Sequence, residues 1–134
     1  MDRFTRIIMR GDAILDLSFG VLTFFSPWAG GLFDLLQLSN PQPAIFTQIA
    51  GGLLVAFAYL LWIAPDRPAA LAKPVALSVG AINVIAVVLI AGWLISGMLG
   101  AGTLGTLILI AAAALLGLFG FGELRYALGA EVGN

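Results

Sequence analysis

Two acidic residues one helical turn apart, Asp12 and Asp16, are the first side chains in this sequence that could do chemistry. With Gly20, Thr23 and Pro27 they fall at i, i+4, i+8, i+11 and i+15, within an arc of about 80° on a helix turning 100° per residue. A narrow stripe of polar and small residues on an otherwise apolar helix belongs against other helices, not against lipid. A carboxylate at Asp16, roughly 5 Å inside the inner boundary of the first apolar segment at helical rise, can titrate a proton or coordinate an ion at the mouth of a bundle cavity. Alternatively it locks the helix ends together through an ion pair or hydrogen bond, with Arg125, Lys73 and Ser78 as partners at its depth. Asp12 and Asp16 together offer too few oxygens for a cation. Asn83, level with Thr23 on this reading, either bonds across helices as structural glue, for about 1 kcal/mol, or serves as a polar group of a binding site. Thr47 and Gln48 lie close enough to a span end to be solvated.

Other chemistry is excluded by composition. The chain has no cysteine and no histidine. That removes disulfides, thiolate metal sites, the commonest haem and zinc ligand and the usual general base. A Ser or Thr acting with Lys73 has no supporting motif, and no phosphate loop or dinucleotide fingerprint occurs. The sequence therefore predicts no catalytic residue, no metal site and no cofactor, hence no enzyme. A net charge of −1 with no basic run argues against nucleic acid as a partner.

The elements that must position these residues follow from hydropathy. Of 134 residues 61% are hydrophobic and 10% charged, against about 25% charged in soluble domains. A chain this short cannot hide that much apolar surface in a soluble core. We expect one all-α, integral membrane domain over 1–134: an antiparallel, up-down-up-down four-helix bundle with spans near 13–33, 45–64, 74–95 and 103–122. Each is about 20 residues, the length needed to cross a hydrocarbon core of about 30 Å. The basic segment 1–10 suits an interfacial helix, continuous with span one or merely its flank. Asp12 and Asp16 interrupt the start of the apolar run, so a retained span is expected over a cleaved signal peptide. Pro27 is placed to kink or end span one, Pro74 to open span three as a first-turn proline, and Asn40-Pro41 and Gln42-Pro43 to break the chain between spans one and two. Glu123 and Arg125 open a polar tail and either snorkel to headgroups or find partners on other helices. Phe24, Phe25, Phe57 and Phe119 face lipid or fill the core.

All six basic residues fall before span one, between spans two and three, or after span four. The positive-inside rule then places both termini in the cytoplasm and argues against dual topology. Trp28 and Trp93 near the outer ends, and Trp62 and Tyr126 near the inner ends, fit interfacial anchors. Gly51-Gly52 with Ala56, Gly92-xxx-Ser96-xxx-Gly100, Gly97-xxx-Ala101-xxx-Gly105 and Ala113-xxx-Gly117 are small-residue spacings that permit close helix approach.

Arg6 and Arg10 at the start, Gly20 and Pro27 in span one, Gly51-Gly52 in span two and the connector Pro65-Asp66-Arg67-Pro68 together give a layout that resembles small four-helix bacterial inner-membrane proteins of the DoxX-like type. The resemblance implies an accessory membrane subunit, in a group sometimes linked to quinone or thiol redox systems, and carries over no catalytic residue. Two functional expectations stand. One is a non-catalytic subunit of the inner membrane that packs with lipids and with other membrane subunits or itself. The other is a small transporter, channel, or lipid- or quinone-binding bundle that uses Asp16, Thr23 and Asn83.

Overall fold

The structure, a computed structural model, describes residues 1–29, 33, 36, 44–97 and 102–129. All regular structure there is helical: α1 Arg3–Ala29, α2 Ile45–Ile63, a 3-10 turn Ala64–Asp66, α3 Ala69–Ser96 and α4 Thr103–Leu128. Three of these, Ile45–Asp66, Ala69–Ser96 and Thr103–Leu128, are long and apolar enough to cross a membrane. Such segments are apolar all round and satisfy every interior backbone group within the helix, as lipid demands. The described part of α1, Arg3–Ala29, carries Asp12 and Asp16 within its apolar run.

Several boundaries differ from the sequence-based expectation. Segment 1–10 is continuous with the first helix, one of the forms expected: α1 runs unbroken from Arg3, and Pro27 lies inside it rather than ending it. The Asp2 carboxylate caps this helix by accepting the Thr5 backbone N–H at 2.7 Å, which holds the Asp2 carboxyl below its usual range. The third helix starts at Ala69, five residues before Pro74, so Pro74 is an interior proline rather than an opening one. The stretch Ala69-Ala70-Leu71-Ala72 explains this: strong helix formers extend the helix back to Pro68, the residue immediately before its first turn. The fourth helix continues six residues past 122, because Glu123-Leu124-Arg125-Tyr126-Ala127-Leu128 contains no breaker. Gly97 closes α3 in the left-handed region, at φ 66°, and donates its N–H to the Leu94 carbonyl, the usual service of glycine at a helix end. Pro41, Pro43 and Gly100 lie outside the described residues.

α1 packs chiefly on α2, and α3 on α4; α1 meets α4 along a shorter seam, and α2 barely touches α3. Close approach in each main pair depends on glycine. A Cβ on Gly51 would lie 2.5 Å from the Phe24 nitrogen and 2.6 Å from the Gly20 carbonyl. Gly80 and Gly120 face one another likewise, each within 3.1 Å of the other's carbonyl if given a Cβ. Of the small-residue spacings, Gly51 is therefore a packing position, whereas Gly52 and Gly92 meet nothing and Gly117 meets only Val87 at 3.8 Å.

The cluster of buried hydrophobic residues, Met9, Ala13, Leu61, Ala64, Ala72, Ala76 and Val79, sits where the charged groups gather. Arg6 and Arg10 reach Asp66 at 3.4 and 3.2 Å, the Arg10 guanidinium stacks 5.3 Å over Trp62, and Lys73 donates to the Gly129 carbonyl at 3.0 Å. The start of α1, the connector after α2 and the end of α4 thus come together. Trp28 and Trp93 are well exposed. Trp28 packs on Phe24 and Phe25 with ring centroids 6.2 and 6.1 Å away. Tyr126 packs against the core.

Candidate functional site

The site is assembled by the glycine contacts just described. At the Gly80–Gly120 crossing, a Cβ on Gly120 would lie 3.0 Å from the Asn83 Cβ, and one on Gly80 would lie 3.1 Å from the Glu123 Cβ. Lack of side chains at Gly80 and Gly120 therefore lets Asn83 of α3 and Glu123 of α4 face each other. Gly122 does the same for α1, where an added Cβ would press against Ile8 at 2.9 Å. That contact brings Asp12 to the same level.

At this junction the Asn83 amide nitrogen donates to Asp12 Oδ2 at 2.7 Å and to Glu123 Oε2 at 3.2 Å. One amide has two N–H bonds, and here one goes to each carboxyl. Asp12 and Glu123 are 0% exposed and Asn83 3%. The remaining oxygens, Asp12 Oδ1 and Glu123 Oε1, are buried without a hydrogen-bond donor. Among the described residues no ion pair reaches either carboxyl. Burying a charged group without a partner costs several kcal/mol, so this arrangement is expensive for mere cohesion.

One turn further along α1, Asp16 is 4% exposed and has no hydrogen-bond partner among the described residues. It opens onto a cavity of about 220 Å³. Asp16 and Asn83 are the polar residues of its lining; the rest is apolar, including Phe19, Leu54, Phe57, Ile82 and Leu116. All four helices contribute. An apolar cavity with a few convergent polar groups is the usual form of a small-molecule site.

The inward stripe of α1 is present: Asp12, Asp16, Gly20 and Thr23 are all buried. Its partners differ from those expected. Asn83 meets Asp12, not the level of Thr23, which lies eleven residues or about 16 Å further along the axis. The expected alignment counts α1 from Ala13 and α3 from Pro74; the helices begin at Arg3 and Ala69, and the longer extension of α1 moves the level of Asn83 back towards Asp12. Thr23 is therefore buried away from this cluster. Ser78 is exposed, Lys73 is engaged with Gly129, and Arg125 lines a surface recess with Asp2 and Tyr126, so none of the three meets Asp16. Glu123, expected at the start of a polar tail and either to snorkel or to find partners on other helices, is central and takes the second course. Its signal was the breaker-free run after Gly122, which continues the helix and turns residue 123 inward three positions after Gly120.

No known protein family, curated protein or solved structure matches the chain. Its function must be read from this geometry.

Proposed function

We propose that the protein is a multi-pass membrane protein that binds a small apolar molecule, carrying one hydrogen-bonding head group, in the cavity between its four helices. The observation that carries this reading is the apolar chamber of about 220 Å³ with the buried Asp16 carboxyl and the Asn83 amide on its wall. A quinone or a lipid fragment has that combination of apolar body and polar head. Packing and backbone groups can hold such a molecule without cysteine or histidine, and the protein contributes binding and orientation, not bond chemistry. In this proposal α1 crosses the membrane with the other three helices. The up-down order is supported by contacts in which residue numbers run in opposite senses, Gly20 beside Val55 and Phe24 beside Gly51. A cytoplasmic position for both termini is supported by the basic residues that gather with Asp66 and Gly129. The placement in a bacterial inner membrane and the likeness to DoxX-like proteins belong to the same proposal.

The test is purification from the host membrane in mild detergent, followed by solvent extraction and mass spectrometry. The expected result is one small amphiphile retained per chain, and lost in both Asp16→Leu and Ala112→Phe. Ala112 lines the cavity and is buried, so a phenyl ring there occupies the space. A well-folded protein that carries nothing, or the same complement in both variants, refutes the reading. Stoichiometric recovery of another membrane protein in place of a small molecule would favour an accessory subunit of a larger complex.

A further inference from the structure

The acidic junction beside the cavity has a donor count that does not close. Asp12 and Glu123 present four carboxyl oxygens. The Asn83 amide supplies hydrogens to Oδ2 and Oε2. Oδ1 and Oε1 remain, fully buried and without a donor, on two carboxyls that accept from the same amide nitrogen. Two ionised carboxylates held by one amide nitrogen, at zero exposure and with no ion pair among the described residues, would leave two like charges uncompensated. One proton placed between the free oxygens gives one a donor and the other an acceptor role. It also removes one of the two charges.

We propose that Asp12 and Glu123 share a single proton beneath the Asn83 amide, forming a proton-binding site buried between α1, α3 and α4. A metal ion does not fit the same place. The amide turns its N–H groups, not its oxygen, towards both carboxyls, and the described residues contain no metal-ligand cluster.

The charged groups on the surrounding elements leave this assignment intact. On α1 the neighbour is Asp16, a further negative group one turn away, and Arg6 and Arg10 are engaged with Asp66 of the connector. On α3, Lys73 is ten residues from Asn83 and donates to Gly129. On α4, Arg125 faces the surface recess. α2 has no charged residue. The site thus has an acid on each of two helices, an amide on a third, and no built-in cation to replace the proton. When two carboxyls share a proton they titrate as a pair, not as separate groups.

The experiment is infrared spectroscopy of the full chain in lipid nanodiscs at neutral pH, reading the deuterium-sensitive carbonyl band of protonated carboxyls. Asp12→Asn/Glu123→Gln is expected to lose one carboxyl equivalent of that band relative to wild type, and Asp16→Asn to leave this equivalent in place. A loss of none, or of two, overturns the proposal. Should the double variant fail to fold, the wild-type chain still decides. It contains two glutamates, Glu123 and Glu131, so isotope-labelled glutamate yields two carboxyl resonances in solid-state NMR. With aspartate labelled as well, one exchangeable proton signal should correlate with both the Glu123 carboxyl carbon and an aspartate carboxyl carbon. A Glu123 resonance without such a proton overturns the assignment.

Discussion

Replacing Asn83 by alanine tests whether the polar junction ties the helices together. The substitution removes both N–H donors and leaves Asp12 Oδ2 and Glu123 Oε2 unsatisfied at zero exposure. A hydrogen bond to a charged acceptor contributes about 1.5–3 kcal/mol, and a neutral one about 0.5–1.5 kcal/mol. The 2.7 Å bond belongs in the first class and the 3.2 Å bond nearer the second, which gives about 2–4 kcal/mol for Asn83→Ala. Interhelical hydrogen bonds in membrane proteins average lower, about 0.6 kcal/mol, because the dissociated helices find other partners. We expect the higher range here because the two acceptors are left wholly buried. The assay is reversible unfolding in mixed micelles, with the same substitution made in wild type and in Asp12→Asn/Glu123→Gln. In the second background the acceptors are amides that can turn their own N–H groups towards each other, so alanine should cost less by at least about 1 kcal/mol. Equal costs in the two backgrounds, or a wild-type cost below about 0.5 kcal/mol, would refute the claim that the amide supports the carboxyl pair.

Gly51→Ala should destabilise by about 1–3 kcal/mol through overpacking, since its Cβ would strike backbone atoms of α1, whereas Gly52→Ala, whose Cβ meets nothing, should be neutral in the same unfolding assay. Asp66→Asn removes two exposed ion pairs and should cost less than about 1 kcal/mol, with an effect that shrinks as salt is added. Because the chain has no cysteine, Lys73→Cys and Asn40→Cys each provide a clean single label; an impermeant maleimide applied to intact cells should modify the second and spare the first, and the reverse pattern would invert the proposed topology.

The helical content and the three apolar helices were legible because each is long, continuous and bounded by proline or glycine. The inward stripe of α1 was legible from spacing alone, since a helix converts i, i+4 and i+11 directly into one face. What could not be read was which residue on another helix meets that face. Asn83 pairs with Asp12 instead of Thr23 because both helices begin before the expected spans, α1 at Arg3 and α3 at Ala69, and the longer extension of α1 moves the level of Asn83 back along it. Glu123 was hidden for a related reason. A glutamate at the end of an apolar run resembles a headgroup anchor, and only the close contacts at Gly80, Gly120 and Gly122 show that it turns inward. The cavity has no local signature at all, because it is the space left where four helices fail to meet.

The uneven contacts between helices also bear on the order of assembly. The extensive pairings join neighbours in sequence, α1 with α2 and α3 with α4, while the cross-pair contacts are sparse. Each pair can therefore form as soon as its own two helices are made. Asp12 belongs to the first pair, Asn83 and Glu123 to the second. Until the pairs dock, Asp12 has no amide donor from the second pair, and Glu123 has Asn83 but not the other carboxyl. The last step of folding is then the one that closes the polar junction, and local acidity should govern it more than any earlier step.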